Sequence, residues 1–178
     1  MSQNDQAKLL VKVGIIAAFA TLAFIGTTII RIPIPATGGY FNLGDTFVMA
    51  AGLLYGPMVG GFVGLIGPTM ADAIGFPQFI LATAVVKGIE GVAVGVLAKN
   101  SNGGIKTWIA LSVGIAILVG GYFVFEAFIY PPLGEVMPFF AVTDLNAAIA
   151  ELFPNLLQGL FSAILAFALW RVFKGVVK

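Results

Sequence analysis

The sequence predicts an all-α membrane protein: one bundle of six transmembrane helices over residues 1–178, with both termini inside and a gating loop between helices 1 and 2. Three observations predict it. Hydrophobic residues make up 60% of the chain and charged residues only 10%, where a soluble domain carries roughly a quarter charged. The mean hydropathy is +1.05. Six apolar stretches, each long enough to cross or enter a bilayer, are separated by Gly/Pro-rich or polar breaks. The 23 glycines suit helices that approach closely in lipid.

The elements follow in order. Span one is Leu9–Ile30, a retained helix rather than a signal peptide, since no small-residue cleavage site accompanies it. Arg31-Ile-Pro-Ile-Pro-Ala-Thr-Gly-Gly breaks it. Asp45 is the expected N-cap of a short span two, Thr46–Tyr55. Gly56-Pro57 turns the chain into span three, Pro57–Ile74. Spans two and three read as two crossings, with a re-entrant hairpin as the alternative. Gly75-Phe76-Pro77 leads to span four, Gln78–Ala98, and Lys99-Asn-Ser-Asn-Gly-Gly104 forms the next loop. Span five, Ile105–Tyr130, is expected to stop at Pro131-Pro132, and residues 139–151 to form a half-polar external segment. Span six is Leu152–Phe173, with Pro154 in its first turn, where proline is tolerated.

The few charges orient the bundle. Lys and Arg in short loops mark the cytoplasmic side. With both termini inside, Lys8, Lys12, Lys99, Lys106, Arg171, Lys174 and Lys178 all fall there, leaving Arg31 outside and Lys87 within a span. The acids Asp45, Asp72, Glu126, Glu135, Asp144 and Glu151 map toward the other side. Buried polarity is therefore lopsided, as in a pocket open to the outside over an apolar floor.

Each polar group has a bland reading beside the functional one. Lys87 and Glu90, at i, i+3 in span four, either neutralise each other or face a ligand. Asp45 is a helix cap or a ligand group; Asp72 and Glu126 are interfacial acids or pocket walls. Asn155 and Gln158 share a face of span six and tie helices together or bind. Tyr40 is an interfacial anchor or, with Asn42 in the Gly38-Gly39-Tyr40-Phe41-Asn42 segment, part of a lid. In span one, Gly14 with Ala18 and Ala23 with Thr27 form small-xxx-small pairs, suited to a partner helix or to packing within the bundle. With no His or Cys, metal sites, disulfides and thiol catalysis are not expected, nor is a cofactor or a nucleic-acid partner.

The chain resembles the substrate-binding S components of energy-coupling factor (ECF) vitamin transporters, most nearly the riboflavin-type branch. The resemblance rests on Gly39-Tyr-Phe-Asn-Leu-Gly-Asp45, Ala51-Gly-Leu-Leu-Tyr-Gly-Pro57, Gly60-Gly-Phe-Val-Gly64, Thr83-Ala-Val-Val-Lys-Gly-Ile-Glu-Gly91 and Asn155-Leu-Leu-Gln-Gly159. It implies a six-helix protein of a prokaryotic plasma membrane that captures a vitamin outside, gated by its first loop. It also implies a transmembrane coupling protein and two cytoplasmic ATPases as partners, the former contacting small residues of span one. The family pattern there is Ala-x-x-x-Ala; this chain has Gly14-x-x-x-Ala18 and Ala23-x-x-x-Thr27. Binding residues by resemblance are Tyr40, Asn42, Lys87, Glu126 and Asn155.

The function expected is high-affinity capture of a small heterocyclic vitamin, riboflavin or a related compound, for ATP-driven uptake and without catalysis. The alternative is a self-sufficient secondary transporter or channel with Lys87, Glu90 and Glu126 as an ion relay. Excess acid over base disfavours a phosphorylated or multiply anionic ligand.

Overall fold

The computed structural model describes residues 2–35, 37–140 and 143–176; Lys178, one of the basic residues used for orientation, lies outside them. Helix α1 (Gln3–Ile29) is followed by a two-stranded antiparallel hairpin, β1 (Ile32–Ile34) and β2 (Gly39–Phe41), with Pro33 opposite Tyr40. Then come α2 (Asp45–Tyr55), α3 (Pro57–Gly75), α4 (Ile80–Leu97), α5 (Ile105–Val124), α6 (Tyr130–Val136) and α7 (Leu145–Phe173). Among the described residues, five helical runs are long and apolar enough to cross a membrane: α1, α3, α4 with its lead-in turn, α5 continuing into α6, and α7.

Several boundaries differ from expectation, each for a local reason. The first helix starts at Gln3, not Leu9. Ser2 accepts from the Asp5 amide and the Asp5 carboxylate accepts from the Ser2 amide, a capping box that nucleates helix in a polar stretch. Pro131 and Pro132 do not end the fifth helix. A π-helical turn at Phe125–Ile129 resets the register, and the prolines fall in the first turn of α6, whose amides need no intrahelical partner. The last helix starts at Leu145, capped by Asp144, which accepts from the Ala147 amide at 2.8 Å. The segment 145–151 is therefore helix, and Pro154 lies in the interior of α7, leaving the Ala150 carbonyl without its usual donor.

Span two is the main correction. Helix α2 has 11 residues, about 16 Å at 1.5 Å per residue, roughly half a bilayer core. It is too short to cross alone. The chain reaches its start by turning back into the bundle: the Leu43 amide donates to the Gly26 carbonyl of α1 at 3.2 Å. A Cβ at Gly44 would collide with the Thr27 hydroxyl, so only glycine fits there. Hairpin and α2 thus share one column of the bundle, the hairpin above and the helix below. Gly44, not Asp45, is the N-cap of α2, and the Asp45 side chain makes no cap bond.

The lower half is apolar. Met49, Ala50, Leu53, Val94, Ala110, Leu111, Ala163, Ala166 and Trp170 form one core cluster. Helices α3 and α4 meet backbone to backbone; a Cβ at Gly64 would overlap the Lys87 carbonyl, and one at Gly91 the Gly60 carbonyl. This contact fixes Lys87 against the bundle axis. The outer surface carries large apolar side chains such as Ile29, Ile74, Val96, Ile105 and Ile164, as a lipid-facing surface requires.

Candidate functional site

Above the apolar core, under the hairpin, lies a small cavity of about 30 Å3. It is lined by Thr27, Gly39, Tyr40, Asn42, Pro68, Asp72, Phe79, Thr83, Lys87, Tyr122, Glu126, Glu151, Asn155 and Gln158. Walls come from α1, β2, α3, α4, α5 with its π-helical turn, and α7. The volume suits a water or two, far below the roughly 300–1,000 Å3 of a small-molecule pocket. The site is contracted.

Two hydrogen-bond chains tie the hairpin to the walls. In the first, the Tyr40 hydroxyl donates to Asp72 Oδ1, and Thr83 Oγ1 donates to Asp72 Oδ2 at 2.5 Å. The Tyr122 hydroxyl lies 2.8 Å from Thr83 Oγ1. In the second, Gln158 uses both ends of its amide: Oε1 accepts from the Asn42 backbone at 2.7 Å, and Nε2 donates to Asp45 Oδ2 at 2.7 Å. Asp45 Oδ1 pairs with the Lys87 ammonium, which also sits 5.2 Å from the Tyr122 ring centroid. Asn42 Oδ1 accepts from the Gly44 amide at 2.9 Å and shapes the descent into α2.

A third cluster closes the far side. The Thr37 hydroxyl donates to Glu151 Oε1, and Asn155 Nδ2 donates to Glu151 Oε2 at 3.3 Å. Glu126, brought inward by the π-helical turn, lies beside Glu151. It is fully buried, and neither of its carboxylate oxygens has a hydrogen-bond donor.

The structure gathers Tyr40, Asn42, Asp72, Lys87, Glu126, Asn155 and Gln158 around one cavity. Asp45 and Glu90 stand one layer behind, not in its wall. The Lys87–Glu90 pairing read from i, i+3 spacing gives way to Lys87–Asp45, formed across 42 residues of sequence. Glu90 is buried against Asp45 with no donor to either oxygen. The span-one pairs divide: Gly14 and Ala18 are exposed, whereas Ala23 and Thr27 are buried inside the bundle and present no free surface. Thr83, Tyr122, Glu151, Thr37 and Phe79 were not anticipated as site residues. Three had a signal, each lying one turn before a predicted residue on the same face: Thr83 before Lys87, Tyr122 before Glu126, Glu151 before Asn155. Arg31 at the rim donates to the carbonyls of Thr27 and Ala71, both at 3.2 Å. Its guanidinium stands 5.0 Å from the Tyr40 ring and 5.2 Å from the Phe76 ring.

Residues 4–174 match the family model of the ECF-type riboflavin transporter, S component. The chain belongs to that family. Its members are substrate-binding transporter subunits, not enzymes. A solved chain, described as the S component of a bacterial ECF transporter, has the same fold, with a TM-score of 0.72 over 99% of each chain at 16% identity. An uncharacterized protein in the gap 3′ region of Pyrococcus woesei is 41% identical over 114 residues, which is 64% of this chain and 77% of that one. The cavity under the hairpin is thus the natural candidate for substrate in this S component.

Proposed function

We propose that this S component captures a small heterocyclic vitamin, riboflavin or a related compound, from outside the cell and surrenders it inward under ATP-driven force. A transmembrane coupling protein and two cytoplasmic ATPases supply that force. The observation that carries the reading is the cavity beneath the hairpin, with polar groups on its walls and an apolar core below. Tyr40, Asn42, Asp72, Lys87, Glu126, Asn155 and Gln158 orient the ligand, and Phe79, Tyr122 and Tyr40 supply aromatic surface. Asp45 holds Lys87 in place from behind.

In this reading both termini are cytoplasmic, and α2 with the hairpin above it counts as the sixth transmembrane column. Lys99, Lys106 and Lys174 then sit at the inner ends of their helices and the acid-rich cavity at the outer. The hairpin is the gate. It must lift or repack, because the contracted cavity is too small for a heterocycle. The apolar core below it supports capture and opposes a continuous ion path. Two measurements test this. Mass spectrometry of protein purified in mild detergent is expected to find a bound heterocycle, and riboflavin-type compounds are expected to raise the melting temperature. Uptake by liposomes containing this chain alone would overturn the reading.

A further inference from the structure

Charge is compensated unevenly around the cavity. Lys87 is committed to Asp45. Asp72 accepts from Tyr40 and Thr83. On the opposite wall Glu151 accepts from Thr37 and Asn155, both neutral donors. Glu126 beside it has no donor at all, though it is fully buried and lines the cavity. No Lys or Arg pairs with either acid among the described residues. Two adjacent acidic side chains in a low-dielectric wall are costly until a positive group or a strong donor meets them. A metal ion is a poor candidate, since no group of three or more acids that could hold one occurs among the described residues.

We propose that Glu126 and Glu151 form a cation-recognising end of the pocket, taking a protonated amine or amidinium-like group carried by the ligand. This rests on the capture reading and narrows its substrate class. An ammonium or amidinium presents several N–H donors to two carboxylates, and such charge-assisted bonds are roughly twice as strong as neutral ones. Three devices place the pair. The π-helical turn aims Glu126 inward. Pro154, lying between Glu151 and Asn155 in sequence, removes the α7 bond to the Ala150 carbonyl. Thr37, on the hairpin, holds Glu151 from above, so the gate reports directly on the state of the acid pair. The wall formed by Asp72, Thr83 and Lys87 is left for the ring of the ligand.

The test uses the full chain in detergent with riboflavin, thiamine, and the matched pair pyridoxine and pyridoxamine, which differ by a hydroxymethyl against a protonated aminomethyl. Binding is read by calorimetry and thermal shift for wild type, Glu126→Gln and Glu151→Gln. We expect a cationic compound to bind at least about tenfold more tightly than its neutral counterpart, and either substitution to erase that preference. Glu126→Gln is also expected to raise the melting temperature of the ligand-free protein, because it gives Glu151 a donor and removes an uncompensated acid. That shift separates loss of recognition from loss of fold. Riboflavin as the only binder, or equal loss of neutral and cationic ligands in both variants, overturns the inference and leaves the capture reading standing. A proton shared by the pair in place of a ligand group would give this second pattern. No binding by any of the four, with nothing co-purified, overturns the capture reading and the inference with it.

Discussion

Lys87 and Asp45 form a buried ion pair, with Gln158 donating to the second Asp45 oxygen and the Tyr122 ring beside the ammonium. Removing one partner of such a pair strands the other charge and costs about 3–5 kcal/mol, whereas removing both is far cheaper. Lys87→Met is therefore expected to lower the melting temperature sharply. Lys87→Met combined with Asp45→Asn should recover most of that loss, while ligand affinity stays low in both. Melting curves in detergent check the stability half and calorimetry with a bound vitamin the other; equal destabilisation of single and double variants would mean the pair does not carry the charge balance. The same residues show what sequence can reveal at this scale. That Lys87 is buried was legible from its place inside an apolar span. Its partner was not. Glu90 was the nearer acid along the helix, and only the return of the chain through Gly44 brings Asp45 to it. Thr83, Tyr122 and Glu151 were legible in principle from helical spacing; Thr37 was not, because nothing local ties it to Glu151 across 114 residues.

At the scale of elements, the hairpin is held by few bonds, and most are to side chains: Asn42 to Gln158, Tyr40 to Asp72, Thr37 to Glu151. Arg31 braces its base against α1, α3 and the Tyr40–Phe76 ring pair, whose centroids are 4.3 Å apart. An element secured by so few buried apolar contacts belongs to the low-stability end of the molecule. Arg31→Ala is expected to speed amide exchange in residues 37–44 and raise the ligand off-rate several-fold, with little effect on the exchange of α3 and α4. Hydrogen-exchange mass spectrometry reads both regions at once, and unchanged exchange in the hairpin would show that the brace is idle. The long apolar helices were plain in the sequence because hydropathy alone specifies them. Their ends were less so. Proline pairs looked like stops, yet after a π-helical turn they became a start. The polar N-terminus looked like a tail, yet a two-residue capping box made it helix.

Across the whole molecule, polarity runs along one axis, from an acid-rich end through an apolar core to a lysine-rich end. If that axis is the membrane normal, a cysteine replacing Glu135 should be labelled by an impermeant maleimide in intact cells and one replacing Lys106 should not; the chain has no cysteine of its own to confuse the result. The reverse pattern would invert the proposed orientation. If capture at one end is coupled to a membrane partner as proposed, α1 is the surface on which to look for the contact. Gly14, Ala17, Ala18 and Thr21 lie exposed along one side of it, with Thr21 Oγ1 turned back onto the Ala17 carbonyl at 2.9 Å, so the face is nearly featureless. Such a face lets a second helix approach closely in lipid, where packing rather than hydrophobicity drives association. Ala23 and Thr27, buried against the hairpin column, serve the fold instead. Ala18→Leu is therefore expected to leave ligand affinity and melting temperature unchanged while abolishing uptake in cells that supply the energising subunits. Ala23→Leu should damage folding and binding together. Equal tolerance of leucine at both positions would move the partner contact off this helix.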